Sequence, residues 1–299
     1  MLSSFDMVGP SSKEVRKMKN RLLLSTVTAT AVILVACVPT PLTASSSAQD
    51  GTRISGGDIR LSLNEDGNAR ITGADIRLDG RVGGELRVTG ADLMLRDMSV
   101  GSLGATGADI SFAGAVLGDA RVTGADISIR GNIDGDLTVR GADLRLEGNV
   151  AGAVDGSFAD ARFNGRLGSL HANGADIRLA DGSSVDGDVR VNAAEIVSEA
   201  AIGGTFYANV RTARLGGSVA GEVDIYADEG RGWRVGDDDG LVEISGELSG
   251  GTICARRVVI SGTVTGPLNI RAAEAVSFTG NGAAPQLEYT PRGDTRCRR

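Results

Sequence analysis

Residues 131 to 154 read GNIDGDLTVRGADLRLEGNVAGAV, almost one phrase stated twice. Asp143 stands in the middle of "GADLRL", and that phrase returns elsewhere as "GADIRL", "GADLML", "GADISF" and "GADISI". Aligned on the aspartate, Asp58, Asp75, Asp92, Asp109, Asp126, Asp143 and Asp160 follow one another at intervals of seventeen; Asp176 comes sixteen later and Glu195 nineteen after that. A period this strict is an internal repeat rather than a bias of composition. The register continues less clearly at Thr212 and Glu229, breaks, and resumes at Arg257 and Glu274.

Within a unit, apolar residues alternate. Ile127 and Ile129 are followed by Ile133, Gly135, Leu137 and Val139 at a spacing of two, and the parity shifts at Gly141 before Ala142, Leu144 and Leu146. Alternation by two predicts strands, and a parity shift at glycine predicts a corner. No single unit can bury its apolar side alone, but units stacked in register form a continuous interior. The expected fold is all-β: a single-stranded parallel β-helix, or β-solenoid, of about 12–13 coils and roughly 60 Å in length at a strand spacing of about 4.8 Å. Forty-four glycines and 3% aromatic residues agree with a core made of Val, Ile, Leu and Ala.

Ile76 and Leu78 fix the inward parity, so Asp75 and Arg77 are expected to face outward, and the aspartates to form a column along the rod. Two residues beyond each aspartate lie Arg60, Arg77, Met94, Ser111, Ser128, Arg145, Arg162 and Arg178, with Arg96 and Arg130 one outward position further on. The pattern predicts a surface ion-pair network, each pair contributing about 0–1 kcal/mol, with the aspartates also accepting backbone hydrogen bonds at the glycine corner. A sharper reading makes Asp92, Asp109 and Asp126 a cation-binding strip, since hard cations take clustered oxygen ligands.

Several solenoid families fail on the period. Hexapeptide acyltransferases use eighteen residues per coil and a catalytic histidine; pentapeptide repeats run in tandem; calcium-binding nonapeptide repeats need a second aspartate per coil; pectate-lyase-like helices have longer coils. The segments "GNIDGDLTV", "GSVAGEVDI" and "ARRVVISGTVTGPLNIRAAEAVSF" (255 to 278) do resemble the bactofilin family of bacterial polymer-forming scaffold proteins, with the motif shape GxVxGxL before a short apolar strand. The resemblance covers most of residues 53 to 278. It implies a compact β-helix that joins end to end into filaments without a nucleotide. Family members are usually cytoplasmic and have about half as many coils.

The first 36 residues are set apart. Lys13, Arg16, Lys17, Lys19 and Arg21 precede an apolar run from Leu22 to Ala36, which predicts a secretion signal with Met18 as a candidate start. The run ends in "LVAC", residues 34 to 37, which resembles the lipobox of bacterial lipoproteins; the resemblance implies that Cys37 carries the lipid and, with Val38 rather than aspartate after it, favours the outer membrane. The alternative is ordinary cleavage near "SSSA", with Cys37 discarded. Residues 37 to 52 are expected to form the lipidated cysteine and a polar tether, residues 53 to 278 the solenoid with an inserted loop near 229 to 241, and residues 279 to 299 a cap or tail. Removing residues 1 to 36 takes away five basic and two acidic side chains, leaving 26 against 36, a net of −10. Nucleic acid is not an expected partner. Cys254 and Cys297 remain as candidates for one disulfide in an oxidising periplasm.

Catalysis needs unlike groups converging on one pocket. The sole histidine is His171, no His/Cys cluster suits zinc, and no Gly-rich phosphate loop precedes a helix. No catalytic residue, metal or cofactor is expected. The break in the repeat at 226 to 240, "YADEGRGWRVGDDDG", holds the only tryptophan, and Trp233 with Tyr226 is a candidate partner site. The sequence therefore points to a non-enzymatic, membrane-anchored scaffold of the bacterial envelope that self-associates end to end. The runner-up is a monomeric periplasmic module that binds peptidoglycan, another glycan or an envelope protein along the solenoid face.

Overall fold

The computed structural model describes residues 43–47, 51–227, 239–274, 276–279, 287–291 and 297. These residues form an all-β parallel solenoid of about 13 turns, with about 17 residues to a turn and no helix among them. A coil has three sides. In one coil they are the strands Glu195–Ser198, Ala201–Ile202 and Phe206–Val210, called here the first, second and third sides.

Strands stack in register as the repeat requires. Ile76 faces Leu93, which faces Ile110 and then Ile127; Asp75, Asp92, Asp109 and Asp126 follow the same column outside. A coil sends in two residues from its first side, one from its second and two or three from its third. In the coil begun by Asp126 these are Ile127 and Ile129, Ile133, then Leu137 and Val139, each no more than 3% exposed. The columns merge into one core running from Ile54 to Ala272. Ala142, expected within the alternation, is exposed. Its place is taken by a corner, where its carbonyl accepts two N–H groups from the coil above.

Two kinds of corner explain the glycines. Between the first and second sides, Gly114, Gly131, Gly148 and Gly165 have φ from 138° to 150°, a region open to glycine and strained for other residues. A Cβ on Gly131 would lie 1.8 Å from the carbonyl oxygen of Gly114, so the close coil-to-coil approach also demands the missing side chain. Between the second and third sides, polar side chains do the work. Asn68 Oδ1 accepts the N–H of Glu85 (2.8 Å), Asp119 Oδ1 that of Asp136 (2.9 Å), Asp136 Oδ1 that of Ala153 (2.8 Å) and Asp188 Oδ1 that of Thr205 (2.8 Å).

The boundaries differ from those expected. Solenoid strands run from Gly51 to Pro291, and Thr43–Ser47, read as tether, is a strand pairing antiparallel with Gly51–Ser55. Leu287–Pro291, within the segment read as a cap or tail, stacks in parallel on Leu268–Ala272. Thr212 faces Leu241, and Leu241 faces Arg257, so Leu241 occupies the column position expected for Glu229. That step is twelve residues longer than seventeen, the extra length falling between the strands Val223–Ala227 and Leu241–Ile244. Val258 faces Val276, which puts Glu274 one place out of the column. Glu229 and Trp233 lie outside the described residues.

Candidate functional site

The first side begins at the corner that carries the aspartate. Ala91 and Asp92 both donate their N–H groups to the Ala74 carbonyl, at 2.8 and 3.1 Å, and Ala125 and Asp126 do the same to Ala108 at 2.8 and 3.0 Å. The corner is thus closed by backbone alone. No carboxylate from Asp58 to Asp176 in the column accepts a backbone hydrogen bond among the described residues, against the expectation from turn chemistry.

The ion-pair network also differs. None of these column aspartates lies within ion-pair distance of an arginine among the described residues. Arg145 turns away from Asp143 to Glu147 (2.8 Å), which also receives Arg130 from the coil below (3.1 Å). Two arginines hold the Glu147 carboxyl below its ordinary range, Arg130 contributing most. Asp143 moves the other way: sharing a hydrogen bond with Asp126, then desolvation, then the charges of Asp126 and Asp160 push its carboxyl up. Desolvation, followed by the charges of Asp160 and Glu195, raises Asp176, with Arg178 opposing. The reason is geometric: a long guanidinium reaches along or across strands to a glutamate more easily than it doubles back to a short aspartate on its own strand.

Beside the column runs a groove of about 530 Å³. Asp75 to Asp143 form one wall, and Met94, Ser111 and Ser128 leave space on the other, between Arg77 at one end and Arg145 at the other. The groove opens where the arginine row lapses. Asp92, Asp109 and Asp126, the expected cation strip, occupy consecutive rungs of this wall. They succeed one another along the rod instead of converging, and no three His, Cys, Asp or Glu side chains among the described residues are grouped to hold a metal ion.

The remaining candidates lie on the third side. His171 is exposed in the strand Arg166–Asn173, its Nδ1 3.2 Å from Asp155 one coil below. Tyr226 is half-buried with its ring 6.1 Å from Tyr207, over which the Arg190 guanidinium sits at 5.6 Å. Cys254 faces Tyr226 on the next rung and is joined to Cys297 by a disulfide, with S–S 2.11 Å and Cα atoms 5.5 Å apart. Cys37 lies outside the described residues. Sequence reading missed the row of Asn68, Asp119, Asp136 and Asp188. Its signal is a short polar side chain immediately before the first apolar residue of the third side.

No protein-family model, curated protein or solved structure matches this chain. The fold therefore rests on its own register, and its function must be argued from its own surfaces.

Proposed function

We propose that this chain is a non-enzymatic scaffold of the bacterial envelope, exported and lipid-anchored at Cys37, whose rods join end to end in the manner of the bactofilins it resembles. One observation carries the reading: both ends present unpaired strand edges. At the start, Asp58–Glu65 has a partner strand only on the side toward Asp75–Thr89, among the described residues. At the other end, Val276–Phe278 and Leu287–Pro291 have neighbours on one side only among the described residues. Such edges are templates for another chain, and a parallel rung from a second copy would continue the first-side column, the third-side edge at the start, Gly51–Ser55, being already covered by Thr43–Ser47. Leu61, Val276 and Phe278, in inward columns at the ends, are only partly buried and would be covered by such a joint.

Electron microscopy of purified residues 38 to 299 tests the joint. Rods several times the length of one solenoid are expected; isolated rods at high concentration would refute end-to-end joining. Labelled acyl chains appearing on the wild type, but not on Cys37→Ser, test the anchor. The groove favours a second reading, a module binding peptidoglycan, another glycan or an envelope protein along its face. That reading gains if the rods stay single and a glycan or envelope fraction is retained by wild type but lost by Ser111→Trp, which fills the groove.

A further inference from the structure

We propose that the Cys254–Cys297 disulfide is an oxidation-dependent latch that orders the last coil and thereby permits rods to join only after export; the second half of this statement rests on the end-to-end reading above. Cys254 belongs to the strand Gly251–Ala255 on the third side. Leu268–Ala272 stacks on that strand, and Leu287–Pro291 stacks on Leu268–Ala272. Cys297 follows the last of these strands in sequence, yet it is bonded two rungs back. The bond therefore closes a loop, with its ends 43 residues apart in sequence, that contains the whole final coil.

Apart from that bond, the described residues of the final coil are held by two strand ladders, on Arg257–Ile260 and on Leu268–Ala272. A solenoid repeat is stabilised by its neighbours, and a terminal one has a neighbour on one side only. Tyr289 stands in the inward column above Ile270 but is 46% exposed, and Glu288, Thr290 and Pro291 are exposed beside it. Val276 and Phe278 reach the core but stay partly exposed. Both cysteines, by contrast, are at least 95% buried. The two cysteines whose bond depends on the compartment are thus far better covered than the described side chains of the last strands, Val276–Phe278 and Leu287–Pro291.

The step is a thiol–disulfide exchange. The two thiols lose two protons and two electrons, a disulfide oxidant of the export compartment is reduced to its dithiol, and one S–S bond forms between Cys254 and Cys297. Before export the thiols stay reduced, the last coil frays, and the edges Val276–Phe278 and Leu287–Pro291 are not available to a second copy. After oxidation the last coil is fixed, and its first-side edge Val276–Phe278 meets the open strand Asp58–Glu65 of another rod.

The test uses residues 38 to 299 in three forms: oxidised, reduced with dithiothreitol, and the doubly substituted Cys254→Ser/Cys297→Ser protein. Amide hydrogen exchange at 276–278 and 287–291 is read beside rod length by electron microscopy. On reduction or substitution, protection at those amides should fall at least tenfold while the strands between Asp92 and Asn173 keep theirs, and long rods should give way to single ones. Unchanged protection at the last coil overturns the latch, whether or not rods join. Lost protection with long rods in every form overturns the gating. Single rods in every form, with protection still lost on reduction, overturn the end-to-end reading and the gating with it, leaving only the local latch.

Discussion

Replacing Asp109 by asparagine should make the protein more stable. The register sets Asp109 between Asp92 and Asp126, at a rung spacing of about 4.8 Å. Two unit charges at that distance repel by about 0.9 kcal/mol in bulk water, and screening at physiological salt, with a Debye length of about 8 Å, leaves roughly half. Removing both contacts should therefore gain about 1 kcal/mol. Among the described residues nothing offsets the gain, because Asp109 has neither an arginine partner nor a backbone donor there to lose. Amides do stack outward elsewhere on the rod, as on the second side Asn149 Nδ2 donates to Asn132 Oδ1 across one coil at 3.1 Å. Urea unfolding, with hydrogen exchange on the strands Asp92–Thr106 and Asp126–Ile133 to localise the effect, should show the gain at low salt and a smaller one in 1 M NaCl, where the screening length is about 3 Å. A loss of stability at low salt would refute the reasoning, since it would mean that the carboxylate makes a favourable contact that outweighs two repulsions.

The pH response should separate two kinds of carboxylate. The Asp143 and Asp176 carboxyls are raised, so folding favours their protonated forms; what they cost is present above their folded-state values and is relieved as pH falls through them. Glu147 is lowered, so its contribution is present above the ordinary glutamate value and is lost as pH falls through its folded-state value; Glu147→Gln should therefore destabilise at pH 7 but not at pH 2, as unfolding curves at the two pH values would show. Gly131→Ala should cost more than about 1 kcal/mol by forcing a methyl against the Gly114 carbonyl, whereas Gly67→Ala, with open space around it, should be tolerated; equal melting curves for the two would contradict the corner geometry. Phe206→Ala removes a fully buried ring between Val189 and Val223 and should cost about 3–5 kcal/mol, read as lost amide protection in those two neighbouring strands.

The sequence disclosed the stacking because identical slots recur at identical intervals, which only a repeated coil satisfies. Asp75, Asp92 and Asp109 could be placed in one column by counting, and Ile76 and Leu93 beneath it by parity. Counting was blind where an irregularity cancels. Leu78 faces Leu95 but Gly80 faces Met98, so one extra residue enters near Arg96 and Asp97, and a residue is skipped between Val82 and Glu85. Asp97 absorbs the excess with a φ of 50°, and the period of seventeen survives unchanged. Charge pairing was legible only as proximity. Arg145 stands two residues from Asp143 and from Glu147 alike, and which carboxylate it takes depends on side-chain length and on Arg130 approaching from below, neither of which spacing records. The groove was invisible for the same reason: it arises from the absence of side-chain bulk at Ser111 and Ser128, and from arginines that turn elsewhere.

The central claim is that successive units lie one rung apart on a common rod, and spin-label distances test it most directly. Thr72, Thr123, Ser157 and Asn173 belong to one outward column of the third side, linked rung by rung through Thr89, Thr106 and Arg140. With one nitroxide at position 72 and the second at 123, 157 or 173, the pairs are separated by three, five and six rungs, or about 14, 24 and 29 Å at 4.8 Å per rung. A linear rise of about 5 Å per rung is the predicted result; distances that fail to increase from 123 to 173 would contradict the stacking and everything argued from it.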